Sequence, residues 1–318
     1  MIKKIFYFLL ISQLNPAFIS VVNCQAVQKK ATRTIIIDPG HGGYFPGAKG
    51  SFSYEKNVSL DVSLKLGNAL EKEFPDFNLI FTRTTDANAG QKGSLLEDLR
   101  YRADLANSSG GDLFISIHCN SAGRGAGGWY EKRLVSKTPK YRNVKQGKKT
   151  VRKKYYEYHY ETNWVENKVA GTETYIWASS KTVDKVSSMA KNNEYYGEID
   201  SVSSLSVPDP KDPVEKARML IYAQHYFKKS LALADLVEKE FATAGRNSRG
   251  VKQRNVKGIW VLQATGMPSI LIEIGFISNK NEEEYMNSEK GQDEIVSNIL
   301  SALKIYFQKL DSKTLHAD

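Results

Sequence analysis

Two histidines and two glutamates stand where this sequence can bring them together. His41 follows Ile35-Ile36-Ile37-Asp38-Pro39-Gly40 and precedes Gly42-Gly43, and His118 closes Phe114-Ile115-Ser116-Ile117. Glu273 lies inside Ile270-Leu271-Ile272-Glu273-Ile274-Gly275-Phe276. Short apolar runs of this kind read as strands buried on both faces. In open α/β sheets, ligand-binding and catalytic groups gather at the carboxyl ends of such strands. His41, His118 and Glu273 are therefore expected on one edge of one sheet, and Glu55, which opens the segment after the first strand, can join them. Two neutral imidazoles and a carboxylate are what a catalytic zinc needs, with a fourth position open for water. A further glutamate would supply the base.

Each of these residues has a plainer reading. A lone histidine near a strand end is ordinarily a surface or satisfied core residue, but two ending parallel strands weigh towards a site. His159, His225 and His316 lack a strand-end or glycine-rich context and are left out. Glu273 read plainly is a strand-end carboxylate pointing to solvent, yet an ionised carboxylate in so apolar a run is expensive unless paired. Glu55 by itself reads as a helix-dipole partner or cap.

The elements that must position these groups follow from periodicity. Strands are expected at 34–38, 77–83, 112–118, 172–177, 259–262 and 269–274. Helices are expected at 55–73, from the capping box at Ser94–Glu97 to about residue 107, at 182–196, from Pro213 to about 244, and at 282–286 and 294–308. Up to residue 118 the order is βαβαβ, which predicts an α/β fold with a mainly parallel sheet flanked by helices. The pattern then breaks. Residues 132–154 are crowded with Lys and Arg, and Tyr155, Tyr156, Tyr158 and Tyr160 follow. One catalytic domain with an insertion fits better than two domains.

The start of the chain is separate. Met1-Ile2-Lys3-Lys4 is basic, residues 5–11 are apolar, and small and polar residues run to Ala26. This predicts a signal peptide over 1–26, cleaved after Ala26. Lipidation at Cys24 is the minority reading, because Asn23 is a poor small-residue match, and only then would the protein hold a membrane. Cys119 is left unpaired; it reads as a small core residue rather than a third metal ligand. A net charge of +10 points to an anionic partner. No nucleic-acid-binding motif is present, so cell-wall polymer is expected rather than nucleic acid.

From about residue 33 to 307 the chain resembles the zinc-dependent N-acetylmuramoyl-L-alanine amidases of the AmiA/AmiC type, the amidase_3 family. The strings that carry the resemblance are Ile36-Ile37-Asp38-Pro39-Gly40-His41-Gly42-Gly43, Glu55-Lys56-Asn57-Val58, Thr82-Arg83 and Leu99 through Arg102 to Ala106-Asn107. They continue in Phe114 to Asn120, Arg249-Gly250-Val251-Lys252-Gln253, and Met267-Pro268 through Glu273 to Asn279. The resemblance implies a mostly parallel six-stranded sheet flanked by helices. It implies Zn²⁺ on His41, Glu55 and His118, with Glu273 as the catalytic glutamate. The implied reaction is hydrolysis of the amide between N-acetylmuramic acid and L-alanine of peptidoglycan, in the periplasm or cell envelope, for wall remodelling or daughter-cell separation.

Within this scheme residues 33–310 are the catalytic domain and 311–318 a tail. Two insertions follow the third ligand strand: a basic, tyrosine-rich one at 129–170 and a second segment at 181–212. Family members of the cell-division type carry a segment there that covers the zinc with an acidic side chain until a protein activator displaces it. Glu194, Glu198 and Asp200 are the candidates for that autoinhibitory contact; a substrate-binding loop or a plain linker is the equal alternative. The basic insert ordinarily means a solvated, flexible charge run, and otherwise a hold on anionic wall polymer through charge and rings. Rival functions are another zinc amide hydrolase (peptidase or deacetylase) and a non-catalytic wall-binding module, although none of the four site positions is lost.

Overall fold

The computed structural model describes residues 33–182, 185, 213–255 and 258–312. Six strands build the main sheet: β1 (Thr34–Pro39), β2 (Asn78–Phe81), β3 (Leu113–Asn120), β6 (Thr172–Ile176), β7 (Ser248–Gln253) and β8 (Ser269–Phe276). Their order is β2-β1-β3-β8-β6-β7. Neighbours run parallel except β6, which is antiparallel to β8. Helices α1 (Glu55–Glu73), α2 (Leu95–Ser108), α3 (Pro213–Thr243), α4 (Trp260–Ala264), α5 (Lys280–Asn287) and α6 (Glu289–Asp311) complete the unit. This is the α/β architecture with a mostly parallel six-stranded sheet.

The alternation of the central strands divides the sheet into two faces. Ile35, Ile37, Ile115, Ile117, Ile270 and Ile272 pack on one side with residues of α1, α3 and α6. Ile36, Phe114, Leu271 and Trp177 occupy the other, with Val261 and Leu262 of α4. All eight residues of β8 are buried, which is why the strand reads as a continuous apolar run. Towards the carboxyl ends the second face turns polar, through Asp38, Ser116, His118 and Glu273.

The N-terminus of α2 has the expected capping box, with Ser94 Oγ accepting from the Glu97 amide and the Glu97 carboxylate accepting from the Ser94 amide. One expectation is corrected, and two strand elements are added. Residues 259–262 are not a strand: Ile259 is the extended N-cap of the short helix α4, whose Val261 and Leu262 fill the second core. Four apolar residues fit either element, and periodicity cannot separate them. The sixth strand is instead β7, whose sequence Ser-Arg-Gly-Val-Lys-Gln hides its edge position behind polar residues. The basic insert, expected as a solvated charge run, forms a hairpin of β4 (Gly128–Gln146) and β5 (Lys149–Glu166), a second sheet of two antiparallel strands.

Candidate metal centre on the sheet edge

The first strand delivers His41 through a turn that only a particular backbone permits. His41 adopts φ +61°, a left-handed conformation that costs an ordinary residue about 1–2 kcal/mol. Two buried guanidinium groups hold that turn. Arg102 donates from Nη1 to the Pro39 carbonyl at 2.8 Å and from Nη2 to the His41 carbonyl at 2.6 Å. Arg83 donates to the carbonyls of Pro39 at 3.0 Å and Gly40 at 2.8 Å. Arg102 is neutralised by Asp38 at 2.6 Å and Asp98 at 2.7 Å. Burial alone would raise the Asp38 pKa, but the Arg102 charge and the Ser116 and Thr82 hydroxyls outweigh it and hold the carboxyl low. Gly40 is required by close approach: a Cβ there would lie 2.5 Å from the His118 imidazole.

Glu55, first residue of α1, reaches back to both imidazoles. Its Oε2 lies 3.2 Å from His41 Nε2, and its Oε1 lies 2.8 Å from His118 Nδ1. The amides of Ala48 and Cys119 donate to the same two oxygens at 2.7 and 3.1 Å. Burial would raise the Glu55 pKa; the hydrogen bonds and charge of His118 and His41 overcome it and keep the carboxylate ionised. Burial lowers the His118 pKa despite the Glu55 carboxylate, which favours the neutral imidazole that a metal needs.

The loop that leads into α1 is fixed from the far end of the chain. The Glu283 carboxylate accepts from the amides of Ser51, Phe52 and Ser53 at 2.7–2.9 Å and from the Ser53 hydroxyl at 2.8 Å.

Ligand atoms of His41, Glu55 and His118 all lie within 4.8 Å of one another. Donors about 2.0–2.2 Å from a tetrahedral zinc stand roughly 3.3 Å apart; His41 Nε2 and Glu55 Oε2, at 3.2 Å, match that spacing, while His118 Nδ1 sits at hydrogen-bond distance from Glu55 Oε1, 2.8 Å. The donor set is also zinc-like in chemistry: nitrogen and oxygen, with Cys119 excluded. Cys119 belongs to the core on the opposite face, where burial pushes its thiol pKa well up.

Glu273 is the direct partner of His118 across β3 and β8, and Glu173 is the partner of Glu273 across β8 and β6. The row therefore runs imidazole, carboxylate, carboxylate. Glu173 is fully engaged, accepting from Arg249 Nε at 2.7 Å and from Asn120 Nδ2 and the Tyr175 hydroxyl at 2.8 Å. Glu273 is not: its Oε2 is buried with no hydrogen-bond partner. Burial, then the nearby Glu55 charge, pushes its pKa well up. Buried polar groups without a partner are rare in folded proteins, and strongly shifted carboxylates cluster at functional sites.

With this edge in view, the profile of the Amidase_3 family, described as N-acetylmuramoyl-L-alanine amidase, matches residues 35–305. The chain belongs to the Amidase_3 family. Membership makes it a cell-wall hydrolase of the amidase class. A putative N-acetylmuramoyl-L-alanine amidase of Buchnera aphidicola is 27% identical over 281 residues, covering 87% of this chain and 95% of that protein. The N-acetylmuramoyl-L-alanine amidase AmiC of Escherichia coli is 26% identical over 277 residues, 86% of this chain. The chain spans about half of AmiC, 52% of its length. The crystal structure of an N-acetylmuramoyl-L-alanine amidase from Clostridium difficile 630 shares the fold, with a TM-score of 0.53 and 24% identity over 89% of this chain and 98% of that one.

In this amidase the edge brings together His41, Glu55, His118 and Glu273. The segment 181–212 lies outside the described residues except for 181, 182 and 185, and so do Glu194, Glu198 and Asp200. Residues 1–32, with the signal peptide and Cys24, and 313–318 of the tail, are also outside them. Among the described residues no helix is long and apolar enough to cross a membrane. Sequence reasoning assigned no task to Arg83, Arg102, Glu173 or Glu283. The first two lay inside the family strings, and the alternation of Glu173 with Tyr175 could have put both on the site's face. Glu283 carried no local signal, because its partners are about 230 residues away.

Proposed function

We propose that the enzyme hydrolyses the amide bond between N-acetylmuramic acid and the L-alanine of the peptidoglycan stem peptide, using zinc held by His41, Glu55 and His118. One adjacency carries the reading: three metal-type donors stand next to Glu273, whose Oε2 is buried and unpartnered. Bound zinc supplies a Lewis acid that polarises the amide carbonyl and acidifies a water to a pKa of about 7, and its charge offsets the repulsion between Glu55 and Glu273.

The remaining work belongs to the chain. Glu55 presents one oxygen to each imidazole and holds both rings beside it, with two backbone amides fixing the carboxylate. The two rings cross at 73° with centroids 4.9 Å apart, so neither stacks over the other's nitrogens. His41 and His118 retain 28% and 18% side-chain exposure, enough for a polymer to reach the edge. Glu273 Oε2 takes the proton of the attacking water and passes it to the leaving amine of L-alanine. That shuttle asks for a carboxylate whose pKa lies near the working pH, and burial moves Glu273 in that direction.

The enzyme acts at the cell envelope, after export directed by residues 1–26. A protein that displaces segment 181–212 would raise activity; a folded deletion of 181–212 with unchanged or lower activity argues against inhibition. Digestion of purified sacculi with the zinc-loaded enzyme, followed by mass spectrometry, tests the reaction. Intact stem peptides with a free L-alanine amine, and glycan stripped of peptide, are expected. Internal peptide fragments or released acetate would replace this reading with a peptidase or a deacetylase.

A further inference from the structure

The hairpin β4–β5 has two unlike faces, and the segregation follows from its register. Tyr130 pairs with Trp164, Leu134 with Tyr160, Lys137 with Tyr158, Pro139 with Tyr156, and Tyr141 with Lys154. Paired residues point to one face. A bulge between Leu134 and Ser136 keeps this face continuous along both strands. It displays six exposed or half-exposed rings: Tyr130, Tyr141, Tyr156, Tyr158, Tyr160 and Trp164. Its charges between Tyr130 and Lys145 are Lys132, Lys137, Lys145, Arg152 and Lys154, with no carboxylate among them. The glutamates of that stretch, Glu131, Glu157 and Glu161, all fall on the opposite face, where Glu157 pairs with Lys140 at 3.5 Å.

Cations and rings are interleaved on the first face. Lys137 Nζ lies 4.0 Å from the Tyr156 ring centre and 5.5 Å from that of Tyr158; the Arg152 guanidinium lies 4.4 Å from Tyr141. Strands of 19 and 18 residues give a ribbon about 60 Å long. An isolated two-stranded ribbon is at best marginal in water, so a ribbon of this length, charged on one sign and ringed along one face, is built to be covered. A second copy of this chain would bring like charges together. The occupant must be long, anionic and able to lie on rings.

The root of the ribbon joins the catalytic edge. Gly127 N donates to the Ser278 carbonyl at 2.9 Å, and Asn167 N donates to the Gly127 carbonyl at 3.2 Å. A groove of about 490 Å³ opens there, lined by Arg124, Trp129, Lys168 and Arg249 and by one carboxylate, Glu166, which pairs with Lys168 at 3.6 Å. Arg249 is the residue that holds Glu173, next in the row to Glu273.

We propose that this face is a docking platform for a peptidoglycan glycan strand, with sugar rings on the tyrosines and stem-peptide carboxylates on the lysines and Arg152. It rests on the amidase reading above, which names the polymer. The platform feeds the strand through the basic groove to the metal edge.

Co-sedimentation of the metal-stripped protein with purified sacculi at physiological salt tests it. The triple variant K137E/R152E/K154E should lose at least tenfold in binding, and Y156S/Y158S/Y160S severalfold. The opposite-face triple K140E/R142E/K153E, with the same change of charge, should stay within twofold of wild type. Melting temperatures check that each variant is folded. Independently of any variant, sacculi whose carboxylates are amidated should bind wild-type protein at least tenfold more weakly. Equal loss from both faces, no loss from the ring face, undiminished binding to amidated sacculi, or tighter binding to duplex DNA or anionic vesicles than to sacculi would overturn the proposal. The assay needs no turnover, so failure of the digestion assay would sink the amidase reading and leave the docking result standing.

Discussion

His118 and Glu273 face each other as direct partners on the parallel strands β3 and β8. One is a metal-type donor held by Glu55, and the other is a buried carboxylate with an unpartnered oxygen. Strand pairing, not a loop, sets the distance between the group that would hold the metal and the group that would move the proton. Sites built on strands are positioned more sharply than sites on loops.

Arg102 supports this edge from beneath. Replacing it with Ala leaves Asp38 and Asp98 buried without their cation and frees the His41 carbonyl. Breaking a buried pair costs about 3–5 kcal/mol. Arg102→Ala is expected to lose stability of that size in urea denaturation, and to bind zinc more weakly than wild type. A variant with unchanged zinc affinity would mean that the His41 turn holds itself.

Glu283 acts on Glu55 through the loop. Burial would raise its pKa, and three backbone amides with the Ser53 hydroxyl hold it low instead. Glu283→Gln keeps the volume but offers a single acceptor oxygen to these donors. Zinc affinity is expected to fall by about tenfold, in the range seen when groups supporting a ligand are removed. Competition with a chromophoric chelator measures it.

Much of this is legible in the sequence. The apolar runs at 34–38, 112–118 and 269–274 announced buried parallel strands, and their polar ends announced an edge. Glu55 was not separable from a helix cap, because its meeting with the imidazoles depends on how α1 packs against β1 and β3. The role of Arg102 was hidden for a similar reason: its partner Asp38 is 64 residues away. The hairpin escaped because neither of its faces is apolar, so alternation of Lys with Tyr gave no hydrophobic period to count. Residues 259–262 misled because four apolar residues fit a helix turn as well as a strand.

Lys185 offers a test by pH. Its amino group is buried against the Trp177 ring, 4.2 Å from the ring centre, and donates to the carbonyls of Leu262 at 2.7 Å and Met267 at 3.3 Å. Burial pushes its pKa well below the ordinary 10.5. The unfolded chain therefore binds a proton that the folded chain gives up, and stability must rise with pH between the folded and unfolded values. Lys185→Met removes that slope. The variant is expected to be the more stable near neutrality, with the gap closing towards about pH 10. Parallel urea titrations across this range would show it; a gap that widens with pH would mean that Lys185 is stabilised as a cation.

Removing the metal should abolish turnover while leaving the fold. The core clusters pack on the two faces of the sheet and do not include the ligand side chains. Chelation is expected to stop sacculus digestion, shift the melting temperature by only a few degrees, and be reversed by added zinc. Activity that survives exhaustive chelation would remove the metal from the reaction.

The most direct test joins metal content and turnover in Glu273→Gln. Glutamine keeps the size of the side chain and cannot take the proton. The zinc-amidase reading predicts one zinc bound per chain, as in wild type, and turnover of purified peptidoglycan lower by about 10²–10⁴-fold. A variant that keeps its zinc and digests peptidoglycan at the wild-type rate would contradict it.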